Sequence, residues 1–402
     1  MNNKSPHDYF VQLFKNYRYD LFVLDFLKTD NIDEDKVFFL ADNEKEVFKR
    51  AKLYGVSTQI YLKIKHFLNN QVHSHKKLNR YISKLGKKSR KNDRMKKFYG
   101  DKEKLAEHLF PVFSFDFQAN SEKLKRNFNF IKELKRFSDD FALFKGIALA
   151  KKYHLSLLAR HTGDVDIIVP QKVFKKFEKK LLEWNFYPVP RSKIKDKYGH
   201  VYQFVREDGL SCGLHLYISD RFFAEIKYED LEFENISVEL GGDKLEVRTF
   251  SPEFDLIQLS LHLFQHCFAL RIFLDIFYVL RSSRIDYTKL FEISRRFKIE
   301  QIVLISLLSS SKIFCLDFQD RFFVKRIQNS FLYKYSDFLS SFVSQPFFFL
   351  VFRNFLFYSP YFDKIFSLFL ASKFPVRKFL SLLPYFPSEF LRRLKGEYTL
   401  AV

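Results

Sequence analysis

Between Asp164 and Pro170 the chain reads DVDIIVP, and no other stretch constrains the fold as much. The run alternates, then turns wholly apolar, with β-branched residues dominant, so it reads as a strand that ends at the proline. Side chains two apart on a strand share a face. Val165, Ile167 and Val169 therefore point to a core, and Asp164 and Asp166 stand side by side at the N-terminal end. Two adjacent carboxylates repel and are stable together mainly with a cation between them. Mg²⁺, or Mn²⁺ in its place, is the expected cofactor, because it takes hard oxygen ligands and bridges carboxylates to substrate phosphates.

The flanks of this strand differ from it. The whole chain of 402 residues is 47% hydrophobic, enough for a large core and two or three domains. Only 11 glycines and 11 prolines interrupt it, against 53 phenylalanines, which favours long helices. Residues 1–119 read as helical, with apolar residues at three- and four-residue spacing through Phe10, Leu13, Phe14 and through Phe48, Ala51, Leu53. Residues 120–250 mix elements. A helix from about Ser121 to Phe137 leads to the strand, and QKVFKKFEKKLLEWNF follows with helical spacing. Two strands then surround an Asp208-Gly209 turn, and a hairpin turns at Gly241-Gly242. Residues 251–402 return to helix, opening with Ser251 as N-cap and Pro252 at the first helical position. The expected class is α+β, with a small mixed sheet flanked by N- and C-terminal helical regions.

Charge narrows the partners. A formal net charge of +21 attracts polyanions, which keeps nucleic acid among the partners. The segment 75–98 is dense in Lys and Arg, with Asp93 its sole acid, and is the candidate basic arm. Only Tyr81 and Phe98 are aromatic there, so it offers few stacking platforms. The most hydrophobic stretch, Phe338 to Leu370, is interrupted by Arg353, Asp363 and Lys364 and broken by Pro346 and Pro360. No transmembrane segment is expected, and a peripheral membrane contact stays open. Cys212, Cys267 and Cys315 form neither a CxxC site nor an even disulfide set. A start without the apolar core of a signal peptide, MNNKSPHDYF, completes the expectation of a cytoplasmic protein.

Upstream of the aspartates stands Lys145-Gly146, where glycine lets the backbone approach a phosphate closely. Lys145 and Arg160 are suitable phosphate partners, and Arg160 precedes Asp164 by only a short turn. FKGIALA followed by ARHTGDVDIIVP resembles the KG…R…GDxDhhV pattern of the uncharacterised bacterial nucleotidyltransferase family, in the polymerase-beta-like superfamily. RNFNFIKEL resembles the helix before the glycine motif, and LEWNFYPV the helix before the hairpin. SPEFDLIQLSLHLFQHCFALRIFLDIFYVL resembles a downstream helix bearing His and Asp. The likeness covers roughly residues 120 to 310.

The resemblance implies that 120–250 is a nucleotidyltransferase core. It implies that Gly146 shapes the turn beside a nucleoside triphosphate, that Lys145 and Arg160 are phosphate or structural partners, and that Asp164 and Asp166 hold catalytic metals. Two departures stand out. Ile147 follows Gly146 where the superfamily has Ser or Gly, and Gly213 stands where a third carboxylate is expected, in Gly213-Leu214-His215. Strand alternation puts Gly213, His215 and Tyr217 on one face, so His215 is the candidate base or ligand in place of the acid. His262 and His266 share one helical face, as do Arg271 and Asp275, and these four are candidates for supporting contacts around the site.

The function expected from the resemblance is transfer of a nucleoside monophosphate from an NTP such as ATP to an acceptor hydroxyl, with the acceptor unspecified. Two alternatives remain beside it. One is a phosphotransferase using the same site; the other is a degenerate, non-catalytic protein that binds RNA or another anion.

Overall fold

The computed structural model describes residues 19, 22–28, 32, 34–53, 55–71, 110–154, 156–191, 199–221, 223–265 and 269–316. The basic segment 75–98, Cys267, His266 and the hydrophobic stretch 338–370 lie outside the described residues. The chain forms two compact units: residues up to Glu122 with Leu158–His161, and Lys123–Leu157 with the residues from Thr162 on.

The described residues of the first unit are helical, as the spacing through Phe48, Ala51 and Leu53 predicts; Phe10, Leu13 and Phe14 lie outside the described residues. Residues 22–28 are followed by α1 (Glu34–Asp42), α2 (Glu44–Leu53) and α3 (Ser57–Gln71). Val37, Leu40, Val47, Ala51, Ile60 and Ile64 are all fully buried. The buried Asp116 accepts from the Ser57 hydroxyl at 2.6 Å and pairs with Lys52 at 3.1 Å, so its charge is not left bare. Asp116 lies on α4 (Pro111–Phe137), which begins earlier than the sequence spacing indicated. Pro111 takes the first helical position, where its missing N–H costs nothing.

The second unit is a mixed sheet with helices, the predicted α+β class. Its strands are β1 (Ala142–Phe144), β2 (Val165–Ile168), β3 (Phe186–Pro188), β4 (Val201–Arg206) and β5 (Ser211–His215). They lie in the order β1-β2-β5-β4-β3. Only β2 and β5 run parallel among these neighbours; the other pairs are antiparallel. Gly209, at φ 80°, turns β4 into β5. The predicted second hairpin is β6 (Phe233–Leu240) with β7 (Asp243–Phe250), and Gly241 and Gly242, at φ 62° and 87°, make its turn. The three-residue strands β1 and β3 carried too little alternation to be read from sequence.

One sheet face is the core face. Val165, Ile167, Phe186, Phe204, Cys212 and Leu214 point into it, each at most 2% exposed. The C-terminal part of α4 and α6 (Phe174–Glu183) cover it. Phe130 stands 5.0 Å from Phe186, Phe137 meets Phe177 edge-on at 5.3 Å, and Phe174 meets Tyr202 at 4.8 Å. Removing a core Phe of this kind costs about 3–5 kcal/mol. The long apolar run after Ser251 forms two helices, α7 (Pro252–Gln265) and α8 (Leu270–Ser282), followed by α9 (Tyr287–Arg296) and α10 (Glu300–Ile313). No helix among the described residues is long and apolar enough to cross a membrane.

Between β1 and β2 runs α5 (Gly146–Tyr153), whose C-terminal end is locked down by charge. The Lys152 ammonium bonds Asp255 Oδ2 at 2.5 Å, Glu234 Oε1 at 2.5 Å and the Phe250 carbonyl at 2.6 Å. The Tyr153 hydroxyl donates to the same Asp255 oxygen at 2.7 Å. Burial pushes the Asp255 carboxyl up, and Lys152 pulls it back. His154 Nε2 lies 3.1 Å from Asp275 Oδ1 on α8, and both side chains are 1% exposed. Removing one partner of a buried ion pair strands the other. Asp255→Ala is therefore expected to cost about 3–5 kcal/mol, read as a lower Tm in thermal denaturation, and Asp255→Asn a smaller amount.

Candidate active site

The second sheet face carries the chemistry. The register sets Phe144, Asp166 and Gly213 side by side across β1, β2 and β5, with Ile168 and His215 one step further along. Every β2 residue is buried, so Asp166, 8% exposed, is a carboxylate held inside the fold. His215 Nε2 lies 2.7 Å from Asp166 Oδ1, and the His215 ring packs edge-on against Phe144 at 4.7 Å. The Lys145 ammonium stands 3.6 Å from the other Asp166 oxygen. Burial first, and the Lys145 charge second, push His215 well below its ordinary range. A neutral ring at this distance donates its Nε2 proton to the carboxylate.

Asp164 immediately precedes β2. Burial and the neighbouring Asp166 push its carboxyl up to about 6, while Lys145, Arg271 and Lys123 oppose that rise. Two carboxylates crowded inside a ring of cations is the charge pattern that a divalent ion relieves. Among the described residues no cluster of three or more His, Cys, Asp or Glu side chains is arranged to hold a metal. Asp164 and Asp166 are the two carboxylates that an Mg²⁺ ion completed by substrate phosphates would take.

Lys145 and Gly146 form the entry to α5. Lys145 has φ 57° and ψ −145°, a region that side chains rarely adopt, and Gly146 follows at φ +24°. The Gly146 Cα is close to the strand entry as well: a Cβ there would meet the Asp164 carbonyl oxygen at 3.5 Å. So the strained turn, the helix N-terminus and Asp164 adjoin one another. Backbone N–H groups at such a terminus favour anions.

Gly213 has a physical reason of its own. A Cβ at that position would meet Asp166 Oδ1 at 2.5 Å, His215 Nε2 at 2.9 Å and Val201 Cγ2 at 3.3 Å. The Asp166–His215 pair occupies the space that a side chain on this position needs, so the absent acid and the present histidine are one feature.

Of the residues singled out from sequence, the structure brings together Lys145, Gly146, Asp164, Asp166 and His215. Arg271 acts electrostatically on Asp164. Asp275 instead pairs with His154 at the far end of α5. His262 is a half-buried residue of α7, His266 lies outside the described residues, and Arg160, 5% exposed, belongs to the first unit. Sequence reasoning missed Lys123, because a lysine on a helix begun far upstream carries no motif.

Residues 118–314 match the family described as an uncharacterised nucleotidyltransferase. This segment belongs to that family. The match spans the whole sheet and the aspartates, which agrees with the resemblance read from the KG and GDVD motifs. No curated protein sequence matches the chain.

Two predictions follow from the geometry. Gly213→Ala is expected to cost about 1–3 kcal/mol by overpacking, and less in a His215→Ala background, as a double-mutant cycle in denaturant would measure. The second concerns pH. Folded Asp164 keeps its proton up to about 6, whereas the unfolded chain releases it near 3.8. The unfolded state therefore binds fewer protons between those values, and stability from this group falls as pH rises through them. Asp164→Asn should raise Tm at neutral pH, by on the order of 2 kcal/mol of stability, and remove that slope.

Proposed function

We propose that the protein is a metal-dependent nucleotidyltransferase that moves a nucleoside monophosphate from an NTP to an acceptor hydroxyl. The observation that carries this reading is the adjacency of the Lys145-Gly146 turn to the two carboxylates, within a segment of the matched family. Mg²⁺ bound through Asp164 and Asp166 would neutralise the triphosphate and polarise the α-phosphoryl group.

The chain's own groups supply the rest. Lys145 and the N-terminus of α5 orient the triphosphate, and Arg271 and Lys123 add positive charge beside it. The acceptor oxygen bonds to the α-phosphorus as the bond to the bridging oxygen breaks and pyrophosphate leaves. The hydroxyl proton passes to the Asp166 carboxylate, which the neutral His215 ring holds in place through its Nε2–H at the position where a third carboxylate is absent. Lys152 and Tyr153 hold α5 from its other end, so the strained turn keeps its place.

A second reading, a non-catalytic anion-binding protein, is favoured by one observation: Gly213 stands where the superfamily has an acid. Calorimetric titration of Mg·ATP and the other Mg·NTPs into wild type and the Asp164→Asn/Asp166→Asn variant separates the two. Binding by wild type alone, and incorporation of an α-phosphate label that Asp166→Asn abolishes, is the expected result. Label incorporation that survives in Asp166→Asn overturns the catalytic role of these aspartates. Failure of wild type to bind any Mg·NTP favours the second reading.

A further inference from the structure

The face that carries Asp166 does not end at His215. Register continues it across β4 and β3: Gln203 lies opposite Gly213, Val205 opposite Ser211, and Tyr187 opposite Val205. The Val189 amide bonds the Gln203 carbonyl at 2.8 Å, which sets Val189 beside Gln203. The core face of these strands is covered by helices, but here Tyr187 is 53% exposed and Val189 and Val205 are each 39% exposed. They are three of the few large apolar side chains that the described residues leave open, and they share one face. Between them and the aspartates, Gln203 Nε2 donates to Ser211 Oγ at 2.5 Å. Adjacent strands are about 4.8 Å apart, so Val189, in the row of Gln203 and Gly213, lies about 14 Å from Asp166, and Tyr187, two residues along, about 16 Å.

This floor combines a flat exposed aromatic, aliphatic flanks, and an amide–hydroxyl pair able to meet a base edge. Cations stand at its head, with Lys145 3.6 Å from Asp166 and Arg271 and Lys123 acting on Asp164. The chain as a whole carries +21. Among the described residues β3 is an edge strand, and an extended peptide would need that edge. There Pro188, the residue between Tyr187 and Val189, offers no N–H, so strand addition is blocked. A polyanion with stacking bases needs no edge; it lies across the face.

We propose that the exposed part of this sheet face, over β4 and β3, is the acceptor platform and that the acceptor is the 3′ end of a single-stranded RNA. Its terminal hydroxyl sits at the aspartates, and its preceding bases lie over Gln203, Val205 and Tyr187. The proposal rests on the nucleotidyltransferase reading for its chemistry, but the platform is measured separately.

The test is fluorescence anisotropy of a labelled, unstructured 12-nucleotide RNA with a free 3′ hydroxyl, titrated with the full chain and with Tyr187→Ala. Leu182→Ala serves as the control, since Leu182 is 49% exposed on α6, in the helical layer of the opposite face. Loss of one stacking aromatic is expected to weaken binding about 5- to 100-fold, while the control binds like wild type. Equal binding by Tyr187→Ala and wild type overturns the platform, as does no binding by wild type. So does equal weakening in the control. Mg·ATP titration of wild type reports on the nucleotide site by itself, so failure there is distinguishable from failure of the platform.

Discussion

The parallel pairing of β2 with β5 is the constraint on which the rest of the site depends. It sets Asp166 opposite Gly213 and Ile168 opposite His215, in fixed register. A slip of one residue would send both functional side chains into the helical layer and bring Ile167 and Leu214 out. The apolar burial of Val165, Ile167, Cys212 and Leu214 prevents that slip. The same packing that stabilises the core thus decides which chemical groups meet on the other side.

Electrostatics is arranged around this frame with unequal roles. At the C-terminal end of α5, Lys152 is saturated by two carboxylates and a carbonyl, so its charge is spent on structure. At the other end, Lys145 faces Asp166 at a looser 3.6 Å, within reach of a neutral His215. The helix is anchored where its partners are fully satisfied and carries its looser ion pair at its N-terminal entry.

Much of this was legible in the residues. Alternation in DVDIIVP fixed the strand and the shared direction of its carboxylates, and glycine pairs marked both hairpin turns. The class and the helical flanks followed from spacing. What escaped was non-local. Strands β1 and β3 exist because neighbours pair with them, not because three residues have a period. Asp275 shared a helical face with Arg271 and read as one unit with it, yet the fold sends its carboxylate to His154. Gly213 read as a loss, because only coordinates reveal that Asp166 and His215 fill its side-chain space. The platform beyond Gln203 was invisible for a related reason: an exposed Tyr or Val in a sequence looks like any buried one.

The backbone at Lys145 carries a further meaning. Its φ of 57° with ψ of −145° is a conformation natural to glycine, costing a side chain about 1–3 kcal/mol. A glycine there would relax the turn at once and would also delete the ammonium beside Asp166. The chain keeps the costlier residue. Stability and charge placement compete at a single Cα, and this chain carries the charge there.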